Sequence, residues 1–221
     1  MRISVIQHTP SEGPGAIALW SHAGGHALTC YHPYQFGRLP TAENTDLLVL
    51  LGGPMSPNDD TAWIKQERAL IQAMLTADKP MFGACFGAQQ ITKTLGYPVT
   101  AAEAKEVGWA KIYRQTTIIP GLPATLTALH WHQEKFALPQ SAHWLFSSDL
   151  VSNQGFVLDH KIVGLQCHLE PLADDVRTMV ANDGSYIKGS ALHQSPAEIL
   201  AQLVPAENQA AIFAILDYIT A

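Results

Sequence analysis

Charged residues, cysteines and long apolar runs are all scarce in this sequence, and each shortage excludes a class of protein. Charged residues make up 14% of the 221 positions, the formal net charge is −6, and no run of Lys or Arg occurs. Nucleic acid and anionic membrane surfaces are therefore not expected as main partners. No stretch of about 20 apolar residues is present, so no membrane span is predicted. The apolar stretch within residues 1–10 is too short for a secretory signal and is expected to form a first strand.

The sequence contains three cysteines, Cys30, Cys85 and Cys167. An odd, low count argues against a disulfide framework and is typical of a reducing compartment, so we expect a cytoplasmic protein. No motif surrounds Cys30 or Cys167, and we expect both to be structural. There is no internal repeat, low-complexity tract or linker, and residues 1–221 are predicted to form one domain.

The first 95 residues alternate between strand-like and helix-like segments. Residues 46–51 are apolar after the first position, which is typical of a strand covered on both faces. Residues 61–77 carry apolar side chains at helical spacing. The alternation predicts an α/β fold with an open, mostly parallel, flavodoxin-like sheet and helices on both faces.

The pattern changes after residue 98. Between Val99 and Gln166, short β-like segments are separated by turns, at residues 110–113, 125–129, 144–147, 156–158 and 162–166. Residues 159–161 are typical of a hairpin tip. We expect these segments to form an antiparallel β extension of the sheet. Residues 172–221 are predicted to be helical, with one helix starting at Ser195-Pro196. This helical segment is where a partner surface would be sought, although its apolar positions are more often plain core packing.

The segment from Gly83 to Gln89, GACFGAQ, places one thiol at a predicted strand-to-helix corner. Gly-x-Cys-x-Gly at such a corner is the cysteine version of a nucleophile elbow, in which small neighbours accommodate a strained turn. The N–H groups that begin the helix, starting with that of Phe86, favour negative charge on the sulfur and could hold an oxyanion. Cys85 is therefore a candidate nucleophile, although a buried structural cysteine is the commoner case.

A second segment, Gly164 to Pro171, supplies a base and a group to orient it. His168 ends a β-like run and Glu170 follows two residues later, so both face the same side of an extended chain. The glycine pair Gly52-Gly53 ends another buried strand, and Gly53 is a second candidate oxyanion donor. Strand ends of this kind meet at the ligand crevice of an open α/β sheet. Each element alone has an ordinary structural explanation, but together they indicate a thiol acyl-transfer site.

His130 and His132 have the i, i+2 spacing that two metal ligands on a strand would have. No third or fourth ligand pattern accompanies them. We therefore predict no metal and no cofactor.

Several ordered segments resemble the class I, triad-type glutamine amidotransferase family, in particular stand-alone proteins similar to the glutaminase domain of GMP synthase. The resemblance covers the chain from residue 6 to about residue 171. It is carried by four segments of this sequence: GACFGAQ for the family's Gly-x-Cys-x-Gly-x-Gln, LGGPMSPND for its Gly-Gly loop, LHWHQEKFALP for its His-x-Asp…Leu-Pro segment, and GLQCHLEP for its Gly-x-Gln-Phe-His-Pro-Glu.

The resemblance implies a role for each motif residue. Cys85 would attack the side-chain amide carbon of glutamine and form a γ-glutamyl thioester. His168 would move the protons and Glu170 would orient His168. Gly53 and Phe86 would donate backbone N–H groups to the oxyanion. The residues implied in binding the substrate are Gly52, Gln89, Asn153, Gly155 and Phe156.

Two departures from the family pattern bear on these roles. Cys167 and Leu169 replace the usual Phe and Pro around the histidine, but the spacing of His168 and the glutamate is kept. Gln133-Glu134 replaces the usual Gly-Asp. Because that segment borders the pocket in relatives, the second departure puts substrate selectivity in doubt.

The main hypothesis is glutamine amide hydrolysis with ammonia passed to an acceptor. No Gly-x-x-x-x-Gly-Lys-Ser/Thr loop occurs, and nothing here resembles an ATP-dependent synthetase, so the acceptor would belong to a separate partner chain. The alternative is a stand-alone hydrolase of γ-glutamyl amides or peptides with the same triad. A non-catalytic binding or regulatory module would not need the intact triad residues. An α/β-hydrolase with cysteine for serine usually has its acid before the histidine, whereas here the acid follows.

Overall fold

A nine-stranded sheet forms the centre of the computed structural model, which describes residues 1–221. The strands are β1 (Arg2–Ile6), β2 (Ala27–Tyr31), β3 (Leu47–Leu50), β4 (Met81–Ala84), β5 (Val99–Arg114), β6 (Thr125–Phe136), β7 (His143–Ser148), β8 (Gly155–Leu158) and β9 (Ile162–Leu165). Their order across the sheet is β2-β1-β3-β4-β9-β8-β7-β5-β6.

The sheet has a parallel half and an antiparallel half that share β9. Strands β2, β1, β3, β4 and β9 pair in parallel, while β9, β8, β7, β5 and β6 pair antiparallel. The predicted fold class, an open and mostly parallel α/β sheet with an antiparallel extension, is confirmed. The hairpin tip predicted at residues 159–161 joins β8 to β9, and Asp159 and His160 have the positive φ angles that such a turn requires.

Helices cover both faces of the parallel half. They are α1 (Gly15–Ala23), α2 (Pro33–Phe36), α3 (Ala62–Thr76), α4 (Phe86–Thr94), α5 (Ala173–Asp183), α6 (Pro196–Ala201) and α7 (Ala206–Thr220), with a 3₁₀ helix at Gly184–Ile187. None of them is long and apolar enough to cross a membrane. Ser195 caps α6 as predicted, because its hydroxyl accepts the N–H of Glu198.

The uniformly apolar run in β3 is explained by its two covered faces. Leu47 and Val49 pack into the core under α1 and α7, whereas Leu48 and Leu50 pack into the core under α3 and α4. Successive side chains of a strand point to opposite faces, so a strand between two helical layers needs apolar residues at every position.

The antiparallel half carries a third core under the C-terminal segment. Val107 and Trp109 of β5 and Trp131 of β6 pack against Val176 and Met179 of α5. Strands β5 and β6 are longer than the segments predicted at residues 110–113 and 125–129. The first part of β5 was not predicted because its small and charged residues have low strand propensity. The pairing of β5 with β6 also shifts between residues 101 and 106.

Candidate active site

Cys85 occupies the turn between β4 and α4. Its backbone has φ 47° and ψ −109°, a conformation that residues other than glycine rarely adopt. Such strain costs about 1–3 kcal/mol and persists only where the surrounding structure fixes it. The strained strand-to-helix corner predicted from the sequence is therefore present, and its thiol side chain is buried.

Two glycines permit this corner because other backbone atoms come close to them. A Cβ on Gly87 would lie 2.1 Å from the carbonyl oxygen of Leu50, and one on Gly83 would lie 2.7 Å from the amide nitrogen of Ala88. Gly87 also donates its N–H to the carbonyl of Leu51 at 3.1 Å. The first turn of α4 is thereby fixed against the end of β3.

His168 and Glu170 form a buried pair just beyond the end of β9. His168 Nδ1 lies 2.6 Å from Glu170 Oε1, and the other carboxylate oxygen accepts the N–H of Leu169 at 3.0 Å. The backbone of His168 exchanges hydrogen bonds of 2.8 and 3.1 Å with Leu129 on β6. The ring is thus held with Nδ1 on the carboxylate, while Nε2 makes no hydrogen bond within the protein.

The charge of His168 follows from its surroundings. Burial favours the neutral ring, but the negative charges of Glu170 and the Cys85 sulfur outweigh burial and raise the pKa of His168 well above its usual value. The surroundings of the ring therefore favour its imidazolium form. In that form Nε2 carries a proton that it can give to a neighbouring group.

Gln166 brings a further polar side chain to the sulfur. Its Nε2 lies 3.6 Å from Cys85 Sγ, and its Oε1 accepts a hydrogen bond from Gln89 Nε2 at 3.2 Å. Gln166 is absent from the residues predicted above. The available signal was its position two residues before His168, which places both side chains on the same side of an extended chain.

The Gly52-Gly53 loop is supported by a buried pair of side chains. His8 Nδ1 lies 2.9 Å from the carbonyl oxygen of Leu51, and His8 Nε2 lies 2.7 Å from Glu67 Oε2 on α3. A Cβ on Gly53 would lie 2.7 Å from His8 Cβ. The N–H of Gly53 makes no hydrogen bond within the protein, so it is available to an oxyanion.

His8 and Glu67 were not predicted as site residues. Burial favours the neutral imidazole, but Glu67 and two backbone carbonyls outweigh burial and raise the pKa of His8. The one signal in the sequence was a glutamate among the apolar positions of α3, where it is as buried as Ile64 and Ile71. A fully buried carboxylate requires a partner, and His8 is that partner.

A cavity of about 440 Å³ lies beside Cys85. It is lined by three of the predicted site residues, Gly53, Cys85 and Gln89. Residues 131–134 of β6, with Asp183 and Tyr186 of the C-terminal segment, also line it. The remaining lining residues are Glu12, Pro54, Met55, Ser56 and Ala101.

Gly52 and Phe86 do not line the cavity. A Cβ on Gly52 would lie 2.0 Å from a carboxylate oxygen of Glu12 and 2.8 Å from His168 Cε1, so only glycine fits between them. Phe86 is the first residue of α4, where backbone N–H groups have no partner within the helix. Its ring packs edge-on against His8, with ring centroids 4.8 Å apart.

Asn153, Gly155 and Phe156 do not line this cavity, although the family resemblance implies that they contact the substrate. Phe156 is buried and packs edge-on against Phe136, with ring centroids 5.3 Å apart. Gly155 is a buried residue of β8, and Asn153 donates to the carbonyl of Phe136 at 3.1 Å. These residues contribute to the antiparallel half of the sheet, and we assign them no substrate contact.

Glu106, His130 and His132 are the residues with the character of metal ligands. They are buried on β5 and β6, and Glu106 Oε2 lies 3.4 Å from His130 Nδ1 and 3.2 Å from His132 Nε2. The strand pairing thus supplies a third donor that the sequence did not reveal. Glu106 already accepts hydrogen bonds from Gln154 Nε2 at 2.6 Å and Ser148 Oγ at 2.8 Å, so neutral donors satisfy it without an ion. The absence of a metal stays a prediction.

The other two cysteines are unsuited to nucleophilic chemistry. All three cysteines are free thiols. Burial raises the pKa of Cys167 well above its usual value and also raises the pKa of Cys30. Because the thiolate is the reactive form, both are poor nucleophiles at neutral pH.

The chain is similar to known proteins in sequence and in fold. The family model "Glutamine amidotransferase class-I" matches residues 27–184. The glutamine amidotransferase-like protein YfeJ of Salmonella typhimurium is 28% identical over 191 residues, which cover 81% of this chain and 80% of that protein. A glutamine-hydrolysing GMP synthase subunit from Sulfurisphaera tokodaii is 31% identical over 129 residues, which cover 57% of this chain and 67% of that protein. The crystal structure of a Thermotoga maritima glutamine amidotransferase is 25% identical and superposes with a TM-score of 0.91, covering 100% of this chain and 98% of that one.

Proposed function

The chain belongs to the class-I glutamine amidotransferase family, and from this premise we propose that it hydrolyses the side-chain amide of glutamine or of a related γ-glutamyl compound. Cys85 is the nucleophile in this proposal, His168 is the acid and base, and Glu170 orients His168. The reaction passes through a γ-glutamyl thioester on Cys85.

The arrangement of His168 beside Cys85 is the observation that supports this proposal most strongly. Glu170 holds Nδ1 of the ring at 2.6 Å, and the buried Nε2 is left without a hydrogen bond. The backbone N–H of Cys85 donates to the carbonyl of Leu165 at 2.7 Å, three residues before His168, so Cys85 and His168 both follow the paired ends of β4 and β9. Hydrogen bonds between catalytic groups often tighten only when the substrate is bound.

The chemistry proceeds in two balanced steps. In the first step the Cys85 thiolate attacks the amide carbon, the C–N bond breaks, and the nitrogen leaves with the proton that His168 gives from Nε2. In the second step the neutral ring takes a proton from water, and the resulting hydroxide attacks the thioester carbon. The C–S bond then breaks, which releases glutamate and restores the thiolate and imidazolium.

Both steps place negative charge on the former amide oxygen. We assign the N–H groups of Gly53 and Phe86 to this oxyanion, since the first has no partner in the protein and the second begins a helix. Gln89 lines the cavity and is assigned to the bound substrate.

Two versions of the function differ in the leaving group. In the first, glutamine is the substrate and a separate partner chain accepts the ammonia; the relative from Sulfurisphaera tokodaii is one subunit of a synthase. In the second, the chain hydrolyses larger γ-glutamyl amides or peptides by itself. Asp183 and Tyr186 of the C-terminal segment form part of the cavity wall. Their presence there favours the second version.

A panel assay tests the proposed function. Purified protein is incubated with glutamine and several γ-glutamyl amides, and released ammonia, released amine and glutamate are measured. Cys85→Ala should abolish turnover of every substrate, while the matched variant Cys30→Ala should retain it. A glutamine-derived electrophile should label the wild-type protein on Cys85 alone.

The opposite results would identify a different mechanism or a different class of protein. Turnover that survives Cys85→Ala would show that the thioester mechanism is wrong. A protein that neither turns over any γ-glutamyl compound nor reacts with the electrophile would be a binding or regulatory module.

A further inference from the structure

The cavity beside Cys85 is lined by acidic side chains and by no lysine or arginine. Glu12, Glu134 and Asp183 all line it, and the one basic residue among its lining is His132. Glu134 and Asp183 form no ion pair with a cation, whereas burial raises the pKa of Glu12 and favours its neutral form, so the negative charge of the wall comes from the first two. The wall of the candidate active site is therefore electronegative.

Asp183 is held at this wall by a neighbouring ring and a helix end. Trp131 Nε1 donates to Asp183 Oδ2 at 2.8 Å, which fixes the carboxylate. Asp183 is the last residue of α5, and helix C-termini carry a partial negative charge from their unpaired carbonyl groups. No basic residue in the last turn of α5 offsets that charge.

The other two carboxylates come from separate parts of the chain. Glu134 replaces the usual aspartate of the family segment, and its Oε1 accepts a hydrogen bond from Ser56 Oγ at 3.0 Å. Glu12 lies against the catalytic ring, because a Cβ on Gly52 would come within 2.0 Å of Glu12 Oε2 and 2.8 Å of His168 Cε1. Two neutral contacts thus hold two of the carboxylates and leave their charges free for a ligand.

Tyr186 separates the cavity from the nearby cation Lys105. Lys105 lies over the Tyr186 ring, 3.9 Å from its centroid, and donates to the carbonyl of Lys188 at 3.1 Å. Tyr186 lines the cavity and Lys105 does not, and Lys105 forms no ion pair with Glu134 or Asp183.

The size of the cavity leaves room beyond glutamine. Its 440 Å³ corresponds to roughly fifteen water molecules at about 30 Å³ each, whereas glutamine has about ten non-hydrogen atoms. The buried, unpartnered Nε2 of His168 marks where the leaving nitrogen collects its proton. Glu134 and Asp183 lie on the β6 and C-terminal walls of the same cavity, where they can meet a leaving group larger than ammonia.

We propose that the preferred substrate is a γ-glutamyl amide whose leaving amine carries a second, positively charged amino group. This inference rests on the proposed function and names its substrate class. The α-ammonium of a γ-glutamyl compound needs one carboxylate, and ammonia as a leaving group needs none. A diamine places its distant ammonium on the remaining carboxylate, because Glu134 and Asp183 are both half-buried and line the cavity.

The hydrolysis of such an amide follows the same two steps as the hydrolysis of glutamine. The thiolate attacks the γ-carbonyl carbon, the C–N bond to the diamine breaks, and His168 protonates the departing nitrogen. Water then cleaves the C–S bond, so the products are glutamate and a free diamine. The distant ammonium takes no part in bond making and acts through binding alone.

Three γ-glutamyl amides of similar length test this specificity. The cationic substrate is γ-glutamyl-1,4-diaminobutane, the neutral one is γ-glutamyl-butylamine, and the anionic one is γ-glutamyl-4-aminobutyrate. We expect kcat/KM to be at least about tenfold higher for the cationic amide than for the neutral one, and lowest for the anionic amide. Raising the ionic strength should reduce this preference, since salt screens the attraction.

Isosteric variants test which residues produce the preference. Asp183→Asn and Glu134→Gln remove charge but keep an oxygen for the Trp131 and Ser56 hydrogen bonds. The variant that removes the partner of the distant ammonium should lower the ratio of cationic to neutral kcat/KM by about threefold to tenfold. The variant that removes the partner of the α-ammonium should lower kcat/KM for all three amides. Asp217→Asn is the matched control, because Asp217 accepts Trp20 Nε1 at 2.7 Å but does not line the cavity. Its ratio should equal that of the wild type.

The outcomes separate this inference from the proposed function. Equal kcat/KM for the cationic and neutral amides, or a preference for the anionic amide, would overturn the inference while leaving Cys85-dependent hydrolysis intact. A preference that survives both charge-removing variants would also overturn it. Failure to hydrolyse any of these amides or glutamine would overturn the proposed function and the inference with it.

Discussion

The parallel and antiparallel halves of the sheet contribute different things to one cavity. The parallel half leads to Gly53, Cys85 and the His168-Glu170 pair, each within five residues of the end of a strand. The antiparallel half contributes residues 131–134 and holds the C-terminal segment with Asp183 and Tyr186 against the cavity. The proposed catalytic groups thus follow the ends of short parallel strands, while the groups proposed to select the substrate come from the long β5-β6 pair and the helical segment packed on it.

The largest effect separating the two halves is expected from His168→Ala. The variant loses both the acid and the base of the proposed mechanism, so kcat should fall by about 10³-fold or more. KM should change little, because the cavity lining is untouched. Steady-state kinetics with glutamine check this. A variant that kept more than about a tenth of wild-type kcat would remove His168 from the mechanism.

Glu170→Gln should have the next largest effect, with kcat reduced by about tenfold to a hundredfold. Glu170 raises the pKa of His168, so the imidazolium that protonates the leaving group persists to higher pH in the wild type. Activity is present below that pKa and is lost as pH rises through it. Removing the carboxylate charge lowers the pKa, so the descending limb of the kcat profile should move to lower pH. If the descending limb of the kcat profile stayed at the wild-type pH, Glu170 would not set the charge of His168.

Glu67→Gln tests the support behind the Gly52-Gly53 loop. The glutamine can still hydrogen-bond to His8, but it removes the negative charge that stabilises the imidazolium form of that buried ring. We expect a loss of about 1–3 kcal/mol of unfolding free energy, together with a fall in kcat of several-fold. Thermal unfolding and kinetics measure the two effects. Glu198→Gln is the control variant. Glu198 is an exposed residue of the C-terminal segment, so its replacement should leave kcat unchanged.

The smallest effect is expected from restoring the family's Gly-Asp at Gln133-Glu134. The double variant changes only the antiparallel side of the cavity, so it should alter KM by a few-fold and leave the kcat for glutamine nearly unchanged. Substrate titrations measure this split. A large fall in kcat with an unchanged KM would mean that the antiparallel half contributes to the chemistry, and the division between the halves would fail.

The catalytic side of the cavity could be predicted from the sequence because its signals are local. Cys85 follows the buried strand β4 directly, and His168 and Glu170 obey the two-residue period of an extended chain. Gln166 obeys the same period and could have been included. The order of strands then brings these short signals to one edge of the sheet.

The other side depends on contacts between residues far apart in the chain. Asp183 reaches the cavity because Trp131, 52 positions earlier, donates to it, and His8 is buried against Glu67, 59 positions later. Asn153, Gly155 and Phe156 were placed at the substrate by motif resemblance alone, but Gly155 and Phe156 are buried in β8 and Asn153 donates to the carbonyl of Phe136. No local pattern reports such packing, since it depends on the register of β5 and β6 and on where α5 lies.

The central claim is that Cys85 forms a γ-glutamyl thioester, and mass spectrometry of acid-quenched enzyme tests it most directly. Protein mixed with excess glutamine and quenched within one turnover should carry one γ-glutamyl group, located on the peptide that contains Cys85. Cys85→Ala should carry none, and Cys30→Ala should carry it as the wild type does. Glutamate released at the wild-type rate by an enzyme with no such adduct, or with the adduct on another residue, would contradict the account.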